Sequence, residues 1–158
     1  MSNIAPSTAS NALYLARCRA STHNESLCSR ENAADLMGID RGRLYRIEAG
    51  VNDPYPEEIV LMHGLYNDPK LPNWYCREKC PLGKDMPVVG DASLDRLTVR
   101  AIASLSNIKQ VKKDLITITA DGVISDDERP VLDDIIRNLD ELNEINQNLK
   151  VWRERRDL

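Results

Sequence analysis

The most constraining stretch of this chain is Ser29 to Gly50, Ser-Arg-Glu-Asn-Ala-Ala-Asp-Leu-Met-Gly-Ile-Asp-Arg-Gly-Arg-Leu-Tyr-Arg-Ile-Glu-Ala-Gly. Its punctuation dictates two short helices joined by a tight turn. Ser29 is suited to cap a helix N-terminus, Glu31 adds negative charge to the first turn, and Ala33 and Ala34 let a second helix approach closely. Gly38 follows Met37 where the chain must turn left-handed, a conformation glycine adopts at little cost. Asp40 then caps a second helix with apolar Leu44 and Ile47 three apart, and Gly50 closes it. The side expected to face solvent carries Arg41, Arg43, Tyr45 and Arg46. Such a face suits DNA.

The register of these residues resembles the helix-turn-helix of the XRE group, the Cro and phage-repressor-like regulators. The pattern of that group runs Ser-x-Glu-x-Ala-Ala-x-x-Leu-Gly-Ile-Ser-x-x-x-Leu-x-Arg-Ile-Glu-x-Gly, and Ser29, Glu31, Ala34, Met37, Gly38, Ile39, Leu44, Arg46, Ile47, Glu48 and Gly50 occupy matching places. The Tyr75-Cys76-x-x-x-Cys80-Pro81 segment and the helical tail resemble members of the group from Clostridia-like bacteria. The resemblance implies an all-α fold: a five-helix, lambda-repressor-like DNA-binding domain followed by a long antiparallel helical hairpin. It also implies a bacterial or prophage-derived transcription regulator, repression being the usual mode, that reads a palindromic operator as a homodimer. Two-fold symmetry would place the two motifs one helical turn apart on DNA, roughly 34 Å.

In that geometry the second helix enters the major groove with its N-terminal residues on base edges. Arg41 is suited to a bidentate pair with guanine, while Arg43, Tyr45 and Arg46 divide base and phosphate contacts. Gly42 allows close approach but gives up a reading side chain. Ser29 and Arg30, beside the free N–H groups of the preceding helix start, are expected phosphate anchors. Glu48 is assigned a structural role, paired with Arg17 or Arg19.

A net charge of −4 argues against nucleic acid only until its distribution is considered. Arg17, Arg19, Arg30, Arg41, Arg43 and Arg46 cluster around the motif, whereas Asp121 to Glu144 holds nine acidic residues against Arg129 and Arg137. Phosphate contacts are local, so binding with strong salt dependence is expected. No segment reaches the roughly 18 to 20 consecutive apolar residues of a membrane span, and Met1 to Ser10 lacks a basic region followed by an apolar one. A cytoplasmic, nucleoid-associated protein without a membrane partner is the expectation.

Taken in order, residues 1–10 read as a loose leader and 11–86 as the DNA-binding domain. Asn11 to Ala20 forms helix one, with Leu13, Ala16 and Ala20 at helical spacing, and Ser21 to Ser26 is a polar connection longer than the family pattern. Pro56, Glu57 and Glu58 begin a fourth helix, with Ile59, Val60, Met62 and His63 packing over the motif. Leu71 to Cys76 forms a fifth, from which Trp74 and Tyr75 close the core. Proline and glycine at Pro81-Leu82-Gly83-Lys84 and Pro87-Val88-Val89-Gly90 mark a boundary, with 87–92 as linker and 93–158 as the hairpin. There Leu94, Ala101, Ile108 and Leu115 are seven apart, as are Leu97, Val111 and Ile118, with Ser104 the polar exception. Leu132, Ile135, Leu139, Leu142, Ile145, Leu149 and Trp152 continue at spacings of three and four. These stripes exceed what one partner helix buries, so docking or dimerisation through residues 93–158 is expected, with the acidic hairpin also open to a protein partner.

Other chemistry has thin support. Cys18, Cys28, Cys76 and Cys80 suffice in number for a zinc site but contain no CxxC pair. Reduced thiols, zinc ligation and redox sensing all remain open there, reduced thiols being the ordinary state; no metal ligand and no cofactor is assigned. The Asp121-Gly122 turn resembles half of a calcium loop, but Thr117 and Thr119 stand where carboxylates belong. His23 reads as a loop residue and His63 as a core-edge residue. With two histidines, no phosphate cradle and no nucleophile motif, no enzyme is expected.

Overall fold

The computed structural model describes residues 11–155, so the leader expected at 1–10 and the last three residues lie outside it. The described residues are all-helical, without a strand, and fall into two compact units, one ending at Met86 and the other spanning Pro87–Glu154.

In the first unit α1 (Ala12–Ala20) starts at Asn11, whose Oδ1 accepts from the Leu13 and Tyr14 N–H groups at 2.9 and 3.3 Å. Its Nδ2 donates to the Ile47 carbonyl at 3.2 Å, tying the start of α1 to the end of α3. The connection expected at Ser21 to Ser26 is partly ordered into a 3-10 turn over Glu25–Leu27, capped by Asn24, because it must deliver Leu27 into the core at 0% exposure. Then come α2 (Arg30–Met37) and α3 (Arg41–Glu48). Ser29 caps α2, Gly38 turns at φ 66° so that the Ile39 N–H reaches the Ala34 carbonyl at 3.0 Å, and Asp40 accepts from the Arg43 N–H at 2.9 Å. Pro56 opens α4 (Pro56–Tyr66), Asn67 ends it left-handed, and α5 (Leu71–Glu78) follows.

The core between these helices comprises Leu13, Ala16, Leu27, Ala33, Ala34, Met37, Leu44, Ile47, Ile59, Met62, Tyr66 and Leu71, with Trp74 and Tyr75 packed at its margin. Val60, expected to join it, points to solvent because Ile59 and Met62 define the buried side of α4.

In the second unit α6 (Leu94–Ser106) and α7 (Ile108–Ile118) both pack against α8 (Arg129–Glu154). Arg100 pairs with Glu144 at 2.9 Å, while Val111 and Ile118 meet Ile135, so α8 runs antiparallel to both. The single helix expected from Ser93 onward is interrupted at Asn107. Ser104, Ser106 and Asn107 are weak helix formers that compete for backbone groups, and Ser106 Oγ donates to the Ala103 carbonyl at 2.6 Å. The expected linker is pinned as well: buried Asn148 accepts from the Gly90 N–H at 3.0 Å and donates to the Val88 carbonyl at 2.9 Å. No helix among the described residues is long and apolar enough to cross a membrane.

Candidate nucleic-acid interface

Two carboxylates fix how α3 presents its side chains. Glu48 ends α3 fully buried; its Oε1 accepts from Arg17 Nε at 2.5 Å, and its Oε2 accepts from Arg17 Nη2 at 3.1 Å and Arg30 Nε at 2.7 Å. Arg17 also donates to the Leu27 and Cys28 carbonyls at 2.8 and 3.3 Å. One carboxylate thus joins α1, the 3-10 turn, the start of α2 and the end of α3. Burial disfavours the charged Arg17 guanidinium, but the Glu48 hydrogen bonds and charge outweigh it and raise its pKa above the ordinary value. Arg19, the other partner expected for Glu48, instead bonds Asp68 at 2.9 Å.

Glu58 holds the other end. Arg43 reaches across from α3 to place Nε and Nη2 on the Glu58 carboxylate at 2.9 and 2.8 Å, and Nη2 also donates to the Asp53 carbonyl at 3.0 Å. Its guanidinium lies over the Tyr55 ring at 4.5 Å, and Tyr55 N–H donates to Glu58 Oε2 at 2.7 Å. The Arg43 side chain is only 17% exposed. The expected free reader is therefore a strut between α3 and α4. Nothing in sequence periodicity linked Arg43 to Glu58; the only signal was an acid in the first turn of α4, which the helix dipole explained by itself.

The remaining candidates divide by position. Arg41, at the first turn of α3, is 67% exposed, with only a 3.5 Å contact to the equally exposed Glu31. Tyr45 and Arg46 are also exposed on this side. A Cβ at Gly42 would stand 3.0 Å from Asp40 Oδ1 and 3.3 Å from Arg46 Nη1, so the missing side chain leaves the space in which the Arg46 guanidinium lies back over Gly42. Arg30, expected as a phosphate anchor, is bound to Glu48 and sits 5.1 Å above the Tyr45 ring. Within this unit Arg30 props Tyr45 and neutralises Glu48. Ser29 uses its hydroxyl to accept from the Asn32 N–H at 3.4 Å. Arg41, Tyr45 and Arg46, with Gly42 between them, make up the accessible face.

Among the described residues no group of three or more His, Cys, Asp or Glu side chains is placed to hold a metal ion, and all four cysteines are free thiols. No family model, curated protein or solved structure matches the chain.

Proposed function

We propose that the chain binds double-stranded DNA sequence-specifically through the exposed side of α3 and acts as a transcription regulator of the XRE type, with repression as its mode. In this reading the first unit is a lambda-repressor-like domain, and the helices of the second form an antiparallel hairpin. The observation that carries it is the division of labour on α3: Arg43 and Glu48 are spent on holding the helix, while Arg41, Tyr45 and Arg46 project unburied from its other side. A helix held near both ends, with Arg41 exposed in its first turn and Arg46 in its last, has what major-groove reading requires. Arg41 takes guanine, Arg46 reads or holds the neighbouring phosphate, and Tyr45, propped by Arg30, packs against the backbone.

Selection of bound fragments from randomised DNA, followed by anisotropy titration across a salt series, tests this reading. A defined site should emerge, with affinity falling steeply as salt rises. Arg41→Ala should then weaken binding about 5- to 150-fold, the range of a lost bidentate base contact, with unchanged thermal stability. Failure to enrich any sequence would remove DNA recognition as the function. The second reading, a protein-interaction adaptor on the same scaffold, is favoured by the exposed carboxylates of α8, among them Asp133, Asp140 and Glu141, and predicts capture of a basic partner instead.

A further inference from the structure

The second unit leaves half of its own seam open. The row Leu97, Ser104, Val111 and Ile118 is buried against α8, none of the four more than 7% exposed. The companion row of the same heptad repeat is not: Leu94, Ile108 and Leu115 are each 37–40% exposed. Beyond it stand Leu105, Ile102 and Ile116, exposed by 54, 65 and 61%. A helix advances about 100° per residue, so these six residues follow the buried row in one rotational sense. On α8, Leu149, Leu139 and Ile136 are exposed and follow the buried Ile145 and Ile135 in that same sense. Because α8 is antiparallel to α6 and α7, the same sense leads both to one side of the pair. The result is a single apolar face running the length of the unit.

We infer that this face is occupied by a second copy of the chain, forming a two-fold bundle of paired helices. Three features of the unit select this occupant. Its own core is small, built on buried Leu97, Val111, Ile118, Ile135, Ile145 and Val151, which is little for a unit of this length to stand on alone. The nine open side chains together offer apolar area on the order of the ~800 Å² per partner that a stable association buries. The stripe also repeats every seven residues over four turns and more, and a second copy brings a stripe of identical period, as knobs-into-holes packing needs. Asp134, Glu141 and Glu144 lie in the opposite rotational sense, where Arg100 meets both glutamates. The exposed Asp95, Asp133 and Asp140 stand at the outer margin of the open face, where their charges can stay in water. Lys112, one heptad from Leu105, interrupts the open face and Lys150 edges it, and their long stems can lie along apolar surface with the charge in water.

The inference is independent of DNA binding and is tested without DNA, by sedimentation of the full chain. A dimer dissociating in the micromolar range is expected. Ile102→Glu and Leu139→Glu, one on each half of the face, should each weaken it at least about thirtyfold, as loss of a central apolar contact does. Both positions are solvent-exposed in the single chain, so helical content by circular dichroism should hold, and either variant alone suffices if the other misfolds. Ala103→Glu is the control: Ala103 is exposed but stands about 100° from the buried Ser104 in the opposite rotational sense, and should leave the dimer intact. A wild-type chain monomeric at about 100 µM, a concentration that populates even weak dimers, overturns the inference. So does dissociation by Ala103→Glu equal to that by Ile102→Glu.

Discussion

At the scale of single residues, Glu48 and Glu58 matter more than the arginines that first draw the eye. Glu48 has no access to water and is neutralised by two guanidiniums, so truncating it strands Arg17 as a buried, uncompensated charge. Glu48→Ala is expected to cost about 3–5 kcal/mol in urea unfolding, the range for breaking a buried pair by removing one partner. A loss under about 1 kcal/mol would show that water reaches Arg17. Glu58 makes a pH prediction. Partial burial pushes its carboxyl up, but the hydrogen bond from Arg43, the bond from the Tyr55 N–H and the Arg43 charge outweigh burial and leave it below the ordinary 4.5. A carboxyl depressed on folding contributes stability that is present above the ordinary value and lost as pH falls through the folded one. Glu58→Gln should therefore melt below the wild type at pH 7, with the gap closing below about pH 4.5. Arg43→Ala should behave as a stability variant, in contrast to Arg41→Ala.

At the scale of elements, the parts legible in the sequence were those governed by local rules. Ser29, Gly38, Asp40 and Gly50 mark helix ends because a cap or a left-handed residue is chosen by its immediate neighbours, and each does so here. The partner of Glu48 was legible only as one of two arginines on the first helix, Arg17 or Arg19, and packing selects Arg17. What escaped depends on distant pairs. Arg43 meets Glu58 fifteen residues on, and Asn148 reaches back sixty residues to Val88, so neither leaves a periodic trace. The seam was legible as a repeat, but a repeat does not tell which of its two rows a partner helix will cover. Ser104 is the point where pattern and packing conflict: it lies in the buried row, and its Oγ has no hydrogen-bond partner. Ser104→Ala removes a hydroxyl desolvated without compensation, so α6 should gain about 1 kcal/mol, read as a higher melting temperature of the second unit. Destabilisation by that substitution would mean that the hydroxyl finds a partner in the assembled protein.

At the scale of the whole molecule, the two units rest on different kinds of core. The first has twelve buried residues in one cluster and two charge networks inside it, enough for its core to be expected to stand without a second chain. The second has a small core and an apolar face open along its length. If a second copy covers that face, the two units must respond differently to protein concentration, because only association-linked stability follows mass action. Calorimetry should resolve two transitions. Raising the protein concentration tenfold should stabilise the dimeric step by about 1.4 kcal/mol per mole of dimer and move its midpoint upward. The transition of the first unit should stay where it is, and in Ile102→Glu the second transition should become independent of concentration. Two transitions that both ignore concentration would separate the units yet remove the second copy from the account. One transition that shifts as a whole would mean that the first unit, too, draws its stability from the association, and the self-sufficiency assigned to its core would have to be given up.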